Sequence, residues 1–270
     1  MHADLPVPAD DESLDLLTGS WRIFQLKAGH RFSTDDLLTA WLARVLAPGA
    51  PRTLDLGAGI GSVGLLTLAG LGPDARLTAV EAQERSHQLC AKTVAWNGLG
   101  GRVTLRHGDL RDPAMLPAEE RGTWPLVTGS PPYIPVGKGV ISPHPQRAHC
   151  RIELRGDIFD YAATAAQALH PDGVFVFCHA AGDARPAPAV AAAGLRLWAR
   201  VDVTFRAGRA PTIALFAAGH REAPALPLLP PVVIRDAAGD YTPAYLALRR
   251  VMGAPLERPR AGPSKLTLVP

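Results

Sequence analysis

The order of apolar and polar residues predicts strands alternating with helices along most of the chain. Residues 21–29 alternate as a half-buried strand does, and residues 33–49 have helical periodicity, with Ser33 or Thr34 as N-cap and a Pro-Gly stop. Further strands are predicted at residues 52–57, 76–81, 102–109, 124–130, 173–179, 195–205 and 211–219. Further helices are predicted at residues 61–70, 84–98, 156–169 and 183–194.

This alternation predicts an α/β fold. Strands separated by helices form a parallel sheet with helices on both faces. The strands at 195–205 and 211–219 are joined by a short turn and must therefore pair antiparallel. We expect a Rossmann-like sheet of seven strands, parallel except for an antiparallel final strand.

The ends of the chain differ from its middle. Residues 1–13 are expected to be disordered, and residues 14–219 to form the main domain with its N-terminal strand and helix. A proline-rich link begins near residue 220. Residues 220–270 are expected to form a small attachment, a strand and a helix capped by Thr242, followed by a flexible tail.

Composition narrows the class of protein. The chain of 270 residues is 47% hydrophobic and 20% charged, with a net charge of +3 that permits an anionic partner. Its N-terminus lacks the apolar core of a signal peptide, and no apolar run approaches the roughly 18 residues that span a bilayer. The three widely spaced cysteines argue against a disulfide framework or a zinc site. We expect a soluble cytoplasmic protein with no membrane partner.

A glycine-rich loop joins the first strand of this alternation to the following helix. In "LDLGAGIGSVG" (54–64), Gly57, Gly59 and Gly61 allow a sharp turn and a close approach to a ligand, with Asp55 inside the strand. The spacing differs from the dinucleotide fingerprint, which requires glycine where Ser62 stands. A nucleotide-like cofactor is indicated, and a tight turn without a ligand is the alternative.

Each of the next two predicted strands ends in an acidic residue. Glu81 ends the second strand, where an acid can accept from both hydroxyls of a ribose, and Asp109 ends the third, within reach of an adenine edge. With the glycine loop, these residues resemble the class I S-adenosylmethionine-dependent methyltransferases over residues 50–218. The resemblance implies S-adenosyl-L-methionine as cofactor. It assigns its methionine part to the glycine loop with Asp55, its ribose to Glu81 and its adenine to Asp109.

The fourth strand ends in the rigid corner Ser130-Pro131-Pro132-Tyr133. Within that family the corner is similar to the (N/D/S)-P-P-(Y/F/W) motif of enzymes that methylate planar nitrogens. The resemblance makes these four residues catalytic, with Ser130 also beside the cofactor. The side chain of Ser130 and the carbonyl of Pro131 would hold the amine hydrogens, and Tyr133 would stack on the ring. Asn or Asp is commonest in the family where this chain has serine.

The loop after Tyr133 is basic and suits a nucleic-acid backbone, although a solvated surface loop is the alternative. Its candidate substrate-binding residues are Lys138, Arg147 and Arg151, with Arg155 nearby. His144, His149 and Cys150 lie in the same loop but do not have the spacing of metal ligands, and no metal is expected.

Segments outside these motifs resemble one smaller group within that family. "HRFSTDDLLTAWLA" (30–43) resembles the F-x-x-T-D-x-x-L-L segment of the bacterial tRNA (adenine-N6)-methyltransferases. The likeness spans residues 14–250, including the stretch around Arg151. It implies that Thr34 and Asp35 help to close the cofactor pocket, that tRNA or another nucleic acid is the partner, and that the methyl acceptor is the N6 of adenine.

Other functions stay open at this stage. The acceptor can be another planar nitrogen, in a protein glutamine, a DNA base or a small heteroaromatic molecule. Enzymes that methylate a protein glutamine normally have N-P-P-Y and an N-terminal helical domain, and enzymes that methylate DNA have a target-recognition domain. This sequence has serine at the first position of the corner, and neither domain is visible in it. A non-catalytic RNA-binding protein that keeps the cofactor fold, and a nicotinamide dehydrogenase, are further alternatives that the intact corner and the glycine spacing disfavour.

Overall fold

The computed structural model describes residues 5–135, 137, 146 and 152–256. Its strands are β1 (Glu12–Thr18), β2 (Trp21–Leu26), β3 (Arg52–Leu56), β4 (Arg76–Glu81), β5 (Val103–His107), β6 (Trp124–Gly129), β7 (Leu169–Ala180), β8 (Arg196–Thr204), β9 (Ile213–Gly219) and β10 (Val232–Val233). Its α-helices are α1 (Thr34–Leu46), α2 (Ser62–Leu68), α3 (Glu84–Trp96), α4 (Ile158–Ala168), α5 (Pro186–Ala192) and α6 (Pro243–Val251).

The central sheet confirms the predicted α/β fold. Its order is β10-β8-β9-β7-β6-β3-β4-β5, and β9 runs antiparallel to both of its neighbours while the other pairs are parallel. The seven predicted strands are present, and the C-terminal segment adds the two-residue strand β10 as an eighth at one edge. Buried residues pack on both faces, with α4 and α5 on one and α1, α2 and α3 on the other.

The connectivity reverses between β3 and β6. From β3 the chain builds outward through β4 and β5, then returns to add β6 on the other side of β3. Leu56 pairs with Gly129, so the residues that follow these strands leave the sheet side by side at its carboxyl edge. Such a switch point is where open α/β sheets bind ligands.

The N-terminus corrects one prediction. Disorder was expected through residue 13, yet Glu12 and Ser13 begin β1, which pairs with β2 as an antiparallel hairpin. Glu12 is buried, and both of its carboxylate oxygens accept hydrogen bonds from the ammonium of Lys92, at 3.0 and 2.8 Å. These bonds lower the pKa of Glu12 against the opposing effect of burial. The partner is distant in sequence, so local composition did not indicate this strand.

As far as residue 254, the C-terminal segment packs against the main domain. The Thr242 hydroxyl caps α6 by accepting from the amide of Tyr245 at 3.2 Å, as the sequence predicted. The Tyr245 side chain is fully buried. The Thr18 hydroxyl donates to the carbonyl of Met252 at 2.6 Å, joining this segment to the N-terminal hairpin. The tail from residue 257 lies outside the described residues. None of the described helices is long and apolar enough to cross a membrane.

Candidate active site

The glycine loop follows β3 and turns into α2. Gly57 and Gly59 both have positive φ, of 62° and 58°, a conformation that favours glycine. A Cβ atom on Gly57 would lie 1.9 Å from the hydroxyl oxygen of Tyr161 on α4, whereas one on Gly59 would meet nothing within 4 Å. The residues of this site surround a cavity at the carboxyl edge of the sheet. Gly61 is not among the described residues that line it and faces Cys90, whose Sγ atom would lie 2.5 Å from an added Cβ.

Asp55 lies beneath this loop and is bonded to protein groups. Its carboxylate accepts from the amide of Gly64 at 2.9 Å and from the hydroxyl of Thr128 at 2.8 Å. Burial raises the pKa of Asp55 to about 6, and the charge of Glu81 adds to the effect. Asp55 thus fixes the start of α2 against β6 while also lining the cavity above it.

Glu81 closes β4 and holds the loop from the other side. Its Oε2 atom accepts from the amide of Gly59 at 2.7 Å, and its Oε1 atom accepts from the amide of Gln83 at 2.6 Å. Burial raises the pKa of this carboxyl group. Each carboxylate oxygen has a second lone pair, so Glu81 can still accept from a hydroxyl of a ligand.

Asp109 lies just beyond β5 and is paired with Arg111. The Arg111 backbone amide, Nε and Nη2 donate to its carboxylate at 2.9, 2.9 and 2.7 Å. These bonds lower the pKa of Asp109. Asp109 lines the cavity, and its carboxylate is shared with Arg111, which the sequence did not single out.

The start of α1 contributes Thr34, Asp35 and the buried Asp36. The Ser33 amide donates to the carboxylate of Asp36 at 2.7 Å, which closes a capping box. Burial, together with the charge of Asp55, raises the pKa of Asp36 to about 6. The Thr34 hydroxyl lies 3.4 Å from that of Tyr245, so the C-terminal segment contacts the cavity wall.

The corner that follows β6 packs against β7. Pro131 and Pro132 are buried, and Ser130 and Tyr133 are partly exposed. Ser130 Oγ lies 3.3 Å from the Sγ atom of Cys178, and burial raises the pKa of that thiol to about 12, so it stays protonated near neutral pH. The sequence did not single out Cys178, because the pairing of β6 with β7 alone brings it beside Ser130.

These groups share one cavity of about 590 Å³ at the carboxyl edge of the sheet. The predicted residues that line it are Thr34, Asp35, Asp55, Gly57, Gly59, Glu81, Asp109, Ser130, Pro131, Pro132 and Tyr133. Lining residues that the sequence did not indicate include Asp36, Tyr161, Cys178, Phe205, Thr212 and Ile213. The predicted substrate-binding residues Lys138, Arg147 and Arg151, and the loop residues His144, His149 and Cys150, lie outside the described residues.

The cavity fits S-adenosyl-L-methionine. The open space at Gly59 is a cradle that any side chain at that position would fill. Asp36, Asp55 and Glu81 together make one part of the lining acidic, which suits a cationic sulfonium. Glu81 retains lone pairs that suit ribose hydroxyls.

Known proteins resemble this chain in sequence. A tRNA1(Val) (adenine(37)-N6)-methyltransferase of Cronobacter sakazakii is 27% identical over 220 residues, 81% of this chain and 86% of that protein. The protein of the same description from Shewanella loihica is 30% identical over 228 residues, 82% of this chain and 90% of that protein. A 4-amino-L-phenylalanine/4-methylamino-L-phenylalanine methyltransferase of Streptomyces pristinaespiralis is 31% identical over 184 residues, 60% of each chain.

The fold has solved counterparts. A structure from Agrobacterium tumefaciens, described as a predicted O-methyltransferase, superposes with a TM-score of 0.59 at 18% identity, covering 82% of this chain and 98% of its own. No protein-family model matches the chain. The Shewanella relative is identical to this chain at 30% of the aligned residues, and the alignment spans most of both lengths. This chain therefore belongs to the S-adenosylmethionine-dependent methyltransferases, in the family that includes the tRNA1(Val) (adenine(37)-N6)-methyltransferases.

Proposed function

We propose that this methyltransferase transfers a methyl group to the exocyclic N6 of an adenine in tRNA. The observation that carries the proposal is the Ser130-Pro131-Pro132-Tyr133 corner, which lines the same cavity as the glycine loop. The names of the Cronobacter and Shewanella relatives support adenine as the acceptor. A tRNA substrate would put the enzyme at work in the cytoplasm.

The corner supplies what an adenine amine lacks. The lone pair of that amine is delocalised into the ring, so the nitrogen is a weak nucleophile. Two acceptors that hold its hydrogens direct the lone pair toward the methyl carbon. We assign the two acceptors to Ser130 Oγ and the carbonyl oxygen of Pro131. The same oxygens stabilise the positive charge that develops on the nitrogen as it gains the methyl group, and the nitrogen then releases one of its hydrogens to solvent as a proton.

Cys178 resolves a difficulty with serine at this position. A hydroxyl has a proton of its own, and that proton needs an acceptor if the lone pairs of Ser130 Oγ are to face the amine. Cys178 Sγ, at 3.3 Å, is a weak acceptor for it. In this arrangement Ser130 acts toward the substrate as the side chain of Asn does, through oxygen lone pairs alone.

The remaining predicted residues take supporting parts in the proposal. S-adenosyl-L-methionine supplies a methyl group on a positively charged sulfonium. Glu81 accepts from the ribose, Asp109 faces the adenine edge, and the loop at Gly57 and Gly59 holds the methionine part. Thr34 and Asp35 close the pocket above it. Lys138, Arg147 and Arg151 bind the substrate backbone, and Tyr133 stacks on the acceptor ring.

A second candidate is the amine of a free aromatic amino acid. The Streptomyces relative carries that substrate in its name and is 31% identical to this chain over 184 residues. An arylamine is again an exocyclic nitrogen conjugated with a ring, so the same corner suits it. The two candidates differ in the size of the substrate and in its charge, since tRNA presents many phosphates.

The test is transfer of labelled methyl from S-adenosylmethionine to parallel samples of unmodified tRNA, duplex DNA, protein extract, and 4-aminophenylalanine. We expect label on tRNA, recovered as N6-methyladenosine after digestion. A Ser130→Ala variant serves as the matched control, because it keeps the cofactor pocket and removes one acceptor. Label on 4-aminophenylalanine with tRNA unlabelled would replace the proposal by the second candidate. Label confined to protein or DNA would exclude both.

A further inference from the structure

The turn between β8 and β9 forms a part of the cavity wall that has no role in the proposed methyl transfer. Because β9 is antiparallel to both β7 and β8, the end of β8 lies at the same edge of the sheet as the glycine loop. The turn comprises residues 205–212. Its first and last residues, Phe205 and Thr212, line the cavity together with Tyr133.

The turn presents an aromatic ring and two arginines to solvent. Phe205 is 39% exposed although it is a large apolar residue, and Arg206 and Arg209 are exposed as well. Residues 205–212 include no acidic residue. No hydrogen bond or ion pair to the Arg209 guanidinium occurs within the part of the chain that the structure describes.

Backbone and side-chain bonds hold the turn in place. The Ala207 amide donates to the carbonyl of Arg235 at 2.8 Å, and Thr212 donates its amide to Val203 at 2.9 Å. Arg206 Nη2 donates to the carbonyl of Ala237 at 2.7 Å. Asp202, which precedes the turn, accepts from Arg200 at 2.8 Å, and Asp236, next to the Ala237 that Arg206 contacts, accepts from backbone amides. The positive charge of the turn is therefore not neutralised by these acids.

The spacing of the sheet indicates what Phe205 contacts. Three strand intervals separate β6 from β8, and at about 4.8 Å each they place the two strand ends about 14 Å apart. Two rings that enclose one base lie about 7 Å apart, which is two contact distances of about 3.5 Å. The Tyr133 ring packs on His179 of β7, which is two strand intervals, or about 10 Å, from β8. That strand separation still exceeds the spacing of two rings on one base, so we assign Phe205 to a neighbouring base.

We propose that this turn is a second contact for the RNA strand, an inference that rests on the proposed function. Phe205 stacks on a base next to the methylated adenine, and Arg206 and Arg209 bind the flanking phosphates. An aromatic platform combined with basic side chains is how proteins bind unpaired strands without reading their sequence. A small acceptor that fills only the Tyr133 end of the cavity does not reach Phe205.

The experiment compares Phe205→Ala and Arg209→Ala with wild type, using an unmodified valine tRNA transcript. Arg206 is left unchanged, because its bond to Ala237 holds the turn. The control is Arg221→Ala. Arg221 is also an exposed arginine, but it follows β9 and lies at the opposite edge of the sheet. Unchanged affinity for S-adenosylmethionine verifies that each variant is folded.

We expect Phe205→Ala to lower kcat/KM for tRNA about 5- to 150-fold, the range for one base stacked on an aromatic ring, and Phe205→Trp to retain activity. Arg209→Ala should reduce the slope of log KM against log salt by about one, with Arg221→Ala unchanged. Wild-type kinetics and salt slope in both turn variants would overturn the inference while tRNA methylation stands. A wild-type enzyme that leaves tRNA unlabelled would overturn the proposed function itself, and the inference with it.

Discussion

The ring of Tyr133 meets the ring of His179 edge to face, with centroids 5.8 Å apart and an interplanar angle of 63°. His179 is fully buried on β7, and burial lowers its pKa, so its imidazole is neutral at pH 7. Tyr133 is partly exposed at the cavity. The residue proposed to stack on the acceptor therefore rests on a buried, uncharged partner.

Removing that partner should loosen Tyr133. We expect His179→Ala to lower kcat/KM for the acceptor about 2- to 10-fold, corresponding to the 0.5–1.5 kcal/mol of an aromatic pair. His179→Phe, which keeps an aromatic edge, should stay near wild type. Affinity for S-adenosylmethionine, measured by calorimetry, should not change, because His179 is not among the described residues that line the cavity. Equal losses in both variants would argue against ring support.

Glu81→Gln should weaken cofactor binding. The glutamine amide can accept only one of the two backbone hydrogen bonds that Glu81 accepts from Gly59 and Gln83. Losing a hydrogen bond to a charged group costs about 1.5–3 kcal/mol, or about 10- to 150-fold in the Kd for S-adenosylmethionine. Glu84→Gln, on the exposed first turn of α3, is the control. Binding that survives Glu81→Gln intact would mean that the loop is held by other groups.

The buried acids predict an unusual pH dependence of stability. Asp36 and Asp55 have pKa values raised from 3.8 to about 6, so the folded chain retains protons that the unfolded chain releases between these values. Their contribution to the free energy of unfolding therefore decreases as pH rises from 3.8 to about 6. Urea unfolding should show a shallower decrease in Asp36→Asn, whose side-chain oxygen can still accept from Ser33. A steeper decrease would reverse the assigned sign.

The same acids should discriminate between cofactor and product. As pH rises through about 6, Asp36 and Asp55 ionise and favour a nearby cation. We expect the affinity for S-adenosylmethionine to increase between pH 5 and 7 relative to that for S-adenosylhomocysteine, which lacks the sulfonium charge. Calorimetry with both ligands measures the ratio. Parallel pH profiles for the two ligands would show that the acids do not sense the sulfonium.

Substitution of Ser130 tests its proposed role as an acceptor. Ser130→Ala should lower the rate constant of methyl transfer about 10- to 100-fold in single-turnover assays on tRNA, since one hydrogen bond to a developing charge is lost. Ser130→Asn restores an acceptor oxygen, and we expect kcat at or above the wild-type value. If Asn is as poor as Ala, the serine is matched to a different acceptor, such as a free arylamine.

Local signals in the sequence accounted for most of the fold. Alternation identified the strands, Ser33 and Thr242 identified helix starts, and the glycine and proline clusters marked the loops after β3 and β6. These features depend on neighbours within a few residues, so a single sequence carries them.

Features set by distant partners could not be read in this way. Glu12 looked like part of a solvated acidic end, because its partner Lys92 lies 80 residues away. Cys178 reads as one apolar residue of a buried strand until the pairing of β6 with β7 brings it to Ser130. Phe205 reads as the end of a strand, and only the order of the sheet turns it toward the cavity.

The contact between Thr34 and Tyr245 has a consequence for biosynthesis. The two residues lie 211 positions apart, and their hydroxyls meet only when α6 docks beside α1. On the ribosome, α1 and the glycine loop emerge early, while the segment that supports Thr34 is among the last described parts to be translated. A chain terminated before α6 leaves that side of the cavity unsupported, so the pocket is completed only after α6 has been translated.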